Sequence, residues 1–152
     1  MEQKSDLTSP YELDKKHLIS IADEIRKGVF EICIVAESGH LGGSSSSVEL
    51  MVALYFGGIL RYNLNNPFDA NRDRVLVRGH LGPLRYKLFS LLGFINEEEL
   101  QTYRSIGSRL QGHEDHRNFA SKCSKSSYGI WGFIPLKNNW SWIYSRYVRK
   151  IV

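Results

Sequence analysis

Apolar residues recur at spacings of three and four over residues 14–36, at Leu18, Ile21, Ala22, Ile25, Val29, Ile32 and Ala36. That is the period of one helix face turned toward a core. The opposite face carries Asp23, Glu24, Lys27 and Glu31, and Ser38-Gly39 ends the pattern. Residues 39–47 then hold only glycine, serine, one histidine and one leucine, and read as a loop of small residues. Ser46 and Glu49 have the spacing of a capping box, and Val48, Met51, Val52, Tyr55 and Ile59 continue at helical spacing. A small-residue loop ending at a helix start can bring backbone N–H groups close to an anion. Residues 61–73 are polar and turn-rich. Arg74 to Arg78 predicts a short strand, running into Gly79-His80 and a helix from Leu84 to Leu92. Asn96 and Glu99 predict a further capped helix over 97–107. A strand leading through a Gly-His turn into a helix is α/β architecture, where ligands gather at strand carboxyl ends.

Composition changes this picture in one place. The chain has 152 residues and a net charge of +4. Residues 1–116 hold 13 Lys+Arg and 16 Asp+Glu, a net of −3, whereas residues 117–152 hold 7 Lys+Arg and no acid. Trp131, Trp140 and Trp142 all fall in that second stretch. Two regions are therefore expected: a domain over 1–116 and an atypical basic, aromatic tail over 117–152. Bases with aromatics can stack on single-stranded nucleic acid, but no recognised nucleic-acid module is present. Cys33 and Cys123 make no disulfide framework, so a reducing compartment is the default. The longest apolar run, Leu50 to Leu60, is too short for a membrane span. A soluble, cytoplasmic protein is expected.

The candidate chemistry lies in three Gly-His pairs, Gly39-His40, Gly79-His80 and Gly112-His113, each at a predicted element end. Taken singly, each histidine reads as satisfying a backbone carbonyl in a turn. Taken together, they suggest one polar pocket for an oxygen-rich ligand, since imidazole donates to oxygen and moves protons near neutral pH. His113, His116 and Cys123 have side chains that zinc accepts, at no recognised spacing. No metal ligand is assigned. Arg104 and Arg109 read as a solvated helix face rather than phosphate readers. Arg72, Asp73 and Arg74 are candidates for ion pairing, His17 for exposure and Cys33 for burial.

The stretch Glu37-Ser-Gly-His-Leu-Gly-Gly-Ser-Ser-Ser-Ser-Val-Glu-Leu resembles the first motif of transketolases. Residues 71–86, Asn-Arg-Asp-Arg-Val-Leu-Val-Arg-Gly-His-Leu-Gly-Pro-Leu-Arg-Tyr, resemble the second, and Glu99-Leu-Gln-Thr-Tyr-Arg-Ser-Ile-Gly-Ser-Arg-Leu-Gln-Gly-His the third. Order and spacing agree across residues 12–116. The resemblance is to the N-terminal section of split, two-subunit transketolases. Deoxyxylulose-phosphate synthases share the first motif and fit the second less well.

This resemblance implies the N-terminal part of a thiamine diphosphate-binding α/β fold, helix-rich and incomplete. It implies transfer of a two-carbon ketol unit between sugar phosphates, in the pentose phosphate pathway, with thiamine diphosphate and Mg2+. By motif match His80 is cofactor-binding, near the diphosphate. His40 and His113 are catalytic, contacting substrate hydroxyls and the developing oxyanion. The implied partners are a C-terminal transketolase subunit, which supplies the glutamate that activates the cofactor, and a second copy in a homodimer. The family's metal-binding Gly-Asp-Gly is missing, and no carboxylate follows Asp115. The tail over 117–152 is thus expected to be an out-of-frame or truncated end, and the chain to be inactive alone. The alternative is a non-catalytic binding or interaction domain that keeps the helical scaffold.

Overall fold

A computed structural model describes residues 8–66, 69, 71–75 and 77–113. The expectations for the 117–152 tail, for the division at residue 116, and for His116 and Cys123 lie outside those residues.

Helix α1 spans Lys15–Val35. The Asp14 side chain accepts from the His17 backbone N–H at 3.0 Å, satisfying one of the donors that a helix start leaves open. The same carboxylate lies 2.8 Å from His17 Nδ1, and both side chains are exposed. The expected stripe faces inward, with Ala22, Ile25, Val29 and Ile32 buried. Helices α2 (Leu41–Ser46) and α3 (Val48–Phe56) follow, with Ser47 between them. Helix α3 buries Val48, Met51, Val52, Tyr55 and Phe56 against α1.

Helix α4, Gly82–Leu91, packs on α1 and α2 and is buried along most of its length. Pro83 sits in its first turn, where a missing N–H costs nothing. Lys87 belongs to this buried stretch, and its amine reaches Glu97 and, at 3.9 Å, Glu24. Gly28 of α1 is what admits the lysine stem. A Cβ there would stand 2.7–2.8 Å from Cγ, Cδ and Cε of Lys87. The segment between α3 and α4 is tied back by Asp73, which accepts from the Arg61 backbone N–H at 3.0 Å and from Arg61 Nη2 at 2.9 Å. Ion pairing at Asp73 therefore exists, with Arg61 as a partner.

Three expectations meet differences. First, the chain is helix-rich as expected, but the described residues form no strand, so the strand expected over 74–78 is not seen among them. Residues 73–75, 77 and 78 are irregular, and Arg78 is extended. Val75 and Val77 do pack on the core, but a strand also needs a neighbour for its N–H and C=O groups. Only an isolated bridge, Glu12 to Gly57, is present among the described residues. Second, the small-residue loop over 39–47 is mostly helix, α2. Ser46 Oγ donates to Gly43 O at 3.1 Å, and no side chain caps α3, so the capping box does not form. Third, the helix over 97–107 is a 3₁₀ helix confined to Glu97–Thr102. Arg104 has a positive φ of 63° and its N–H donates to Leu110 O at 2.7 Å, which turns the chain back. Among the described residues, no helix is long and apolar enough to cross a membrane.

Candidate functional site: a three-histidine cluster

His40 stands at the junction of α1 and α2, reached through a tight turn. Glu37 has φ 47°, Gly39 has φ 155°, and Ser38 N–H donates to Cys33 O at 3.1 Å. A Cβ on Gly39 would overlap Cys33 Sγ, so only glycine lets the chain pass here. Cys33 is half-buried rather than fully buried, and burial raises its thiol pKa.

His80 lies in the 3₁₀ turn Gly79–Leu81 that leads into α4. Ser44, completely buried in α2, donates from Oγ to the His80 carbonyl at 3.3 Å. His113 follows the segment held by Tyr86, whose hydroxyl donates to Gln111 O at 2.7 Å. Close approach explains two of the glycines. A Cβ on Gly79 would come 3.1 Å from the His113 ring, and one on Gly112 3.1 Å from the Arg104 guanidinium.

The three imidazoles meet. The His40 and His113 rings are stacked, with centroids 5.0 Å apart and 5° between planes. His80 stands edge-on to both, at 4.5 Å from His40 and 5.0 Å from His113. His40 is half-buried, and its Nδ1 is enclosed without a hydrogen-bond partner. The other two rings are exposed. Burial first, then the like charge of His80, His113 and Arg104, lowers the His40 pKa from the ordinary 6.5. At neutral pH His40 is therefore a neutral ring with one donor and one acceptor nitrogen.

A cleft of about 710 Å³ opens beside the cluster, lined by residues 39–43, Ser46 and Ser47 on one wall and Val77, Arg78, His80 and Leu81 on the other. Its polar groups are imidazole, guanidinium, hydroxyl and backbone; none of the lining residues is a carboxylate.

The Gly-His pairs thus converge as expected. Sequence reasoning missed three neighbours, Arg78, Ser44 and Arg104. Arg78 lines the cleft, and its position directly before Gly79-His80 was the available signal. Ser44 anchors His80 but looked like one serine among four. Arg104 and Arg109 are not a solvated helix face. Arg104 Nη1 donates to Ser38 Oγ at 2.6 Å, beside the His40 turn. Arg109 is largely buried, and its Nη2 donates to Glu99 at 2.7 Å.

Comparison with known proteins agrees with the motifs. The model of the transketolase thiamine diphosphate binding domain matches residues 18–123. The chain is 36% identical over 93 residues to transketolase from Homo sapiens, covering 60% of this chain and 15% of that protein. It is 37% identical over 93 residues to an apulose-4-phosphate transketolase subunit from Phocaeicola vulgatus, covering 60% of this chain and 33% of that one. It is 36% identical over 110 residues to the 6-deoxy-6-sulfo-D-fructose transketolase subunit SqwG from a Clostridium species, covering 72% of this chain and 38% of that one. The chain spans well under half the length of these relatives. With the three motifs, the clustered histidines and the domain match in agreement, the chain belongs to the transketolase family, through the thiamine diphosphate binding domain of its members.

Proposed function

We propose that the chain furnishes part of the active site of a transketolase, which moves a two-carbon ketol unit between sugar phosphates. The observation that carries this reading is the meeting of His40, His80 and His113, from three separate segments, beside one cleft. The cleft's volume suits a cofactor-sized ligand. In a whole transketolase this domain would be α/β, and the segment leading to Arg78 would supply one of its strands.

The residues fit thiamine diphosphate in part. Imidazole N–H groups and Arg78 suit a diphosphate, and the unpartnered His40 Nδ1 is a polar atom awaiting a ligand. Magnesium, in contrast, takes hard oxygen ligands, and the cleft walls offer no carboxylate. The cleft walls therefore do not fit Mg2+.

When bound, thiamine diphosphate supplies the nucleophilic carbon and the electron sink. The chain's own residues do the rest. His80 would hold the diphosphate end. His40, neutral at pH 7, donates to substrate oxygen or accepts a proton from a substrate hydroxyl. His113, stacked on His40, contacts the same oxygens and stabilises negative charge as it develops. Arg78 adds positive charge for a sugar phosphate. A second copy and a C-terminal partner chain complete the site. Two relatives that are themselves named as subunits support this, as does the apolar surface left open on α1 at Ile19, Phe30, Ile34 and Val35.

Ketol transfer measured with the full chain, thiamine diphosphate and Mg2+, with and without a C-terminal partner chain, tests this. Transfer is expected only with the partner, and is expected to vanish in H40A and H113A. Robust transfer by the chain alone overturns the need for a partner. Failure of thiamine diphosphate to bind under any condition overturns the enzymatic reading in favour of a non-catalytic domain.

A further inference from the structure

We propose that His40, His80 and His113 form a binding site for a divalent transition cation of the zinc class. This goes beyond the transferase reading, and a metal held here would compete with cofactor and substrate for the same three side chains. One candidate ligand atom from each ring can be chosen so that all three lie within 4.8 Å of one another. Zinc–nitrogen bonds are about 2.0–2.1 Å long. Tetrahedral ligand atoms then lie roughly 3.4 Å apart, so the cluster must close by a little over an ångström. His80 and His113 are exposed, and side-chain rotation supplies that closure without moving the backbone.

The donor chemistry selects the metal. Three imidazole nitrogens suit Zn2+, Co2+, Ni2+ or Cu2+ rather than Mg2+ or Ca2+. Three histidines with an open fourth position form a recognised catalytic zinc arrangement. The features that made the cleft unfit for magnesium thus favour this second class of ion. The enclosed Nδ1 of His40 has no hydrogen-bond partner and lies free to ligate. The supporting backbone is tied down at each corner, by Gly39 against Cys33, by Ser44 on the His80 carbonyl and by Tyr86 on Gln111.

The test uses the full, untagged chain, stripped with a chelator. Zn2+ affinity is measured by competition with a chromophoric chelator, and Co2+ is added as a spectroscopic probe. One equivalent of Co2+ is expected to give the visible absorption of a four- or five-coordinate site, which Zn2+ abolishes. H40Q, H80Q and H113Q are each expected to lose at least about tenfold in Zn2+ affinity, with far-UV dichroism confirming an unchanged helix content. Should H40Q disturb the fold, the exposed His80 and His113 variants carry the test. The double variant H116A/C123A is expected to bind Zn2+ as the parent chain does. Absence of metal binding overturns the proposal. So does binding indifferent to all three cluster variants, or binding lost in H116A/C123A while the cluster is intact.

Discussion

The hydroxyl of Ser44 donates to the carbonyl oxygen of His80 at 3.3 Å, joining the middle of α2 to the turn that opens α4. Ser44 is completely buried, whereas His80 is exposed. S44A removes this bond and is expected to cost about 1 kcal/mol of stability. It is also expected to shift the NMR resonances of the His80 ring. An unchanged His80 signal would remove Ser44 from the support of the cluster.

Gly28 and Lys87 are coupled by contact. Alanine in a helix interior is ordinarily favoured over glycine by about 1 kcal/mol. Here the added methyl meets a lysine stem held at its far end by Glu97. G28A is therefore expected to destabilise by about 1–3 kcal/mol. In a K87A background the clash is gone, and the same substitution is expected to be neutral or stabilising. Urea unfolding of the four chains in this cycle reads the coupling directly; additive effects would refute it.

Asp73 is mostly buried and receives both the backbone and the side chain of Arg61. D73N keeps the shape and removes the charge. It is expected to cost about 1.5 kcal/mol, the low end for bonds to a charged group because Arg61 is partly exposed. Hydrogen exchange of the Arg61 amide is expected to accelerate in parallel. Unaltered exchange would count against Asp73 as the clasp of this segment.

The depressed pKa of His40 makes stability depend on pH. The unfolded chain binds a proton near 6.5, whereas the folded one resists it. Stability from this group is therefore intact above pH 6.5, and is lost progressively as pH falls through 6.5 toward the lower folded value. R104Q removes one of the neighbouring charges. It is expected to raise the His40 pKa only part of the way back, because burial is the larger cause. Histidine titration by NMR measures both. A His40 pKa at or above 6.5 in the parent chain would refute the ordering of causes.

Legibility in the sequence followed the strength of local signals. The stripe from Leu18 to Ile32 has one reading, and α1 forms as expected. Helix α2 was illegible because glycine and serine are poor helix formers. It exists because Ser44 is buried on the turn of His80, a contact no local window contains. The 3₁₀ helix at Glu97–Thr102 stops short because Arg104 turns back to bond Leu110, which the capping signal at Asn96 and Glu99 does not foretell.

At the candidate site, the sequence by itself determined the chemistry. Three Gly-His pairs, each in a family motif, specify imidazole groups at turns, of which the one at Gly39 is a turn that glycine alone permits. Tertiary structure alone decided that the three rings touch, that His40 is the one whose charge is suppressed, and that Arg78 and Arg104 stand beside them. The physical reason is that period, caps and turn residues act over a few positions along the chain. Ring stacking, desolvation and the field of a neighbouring charge depend on distance in space, and that distance is set when α1, α2 and α4 pack together.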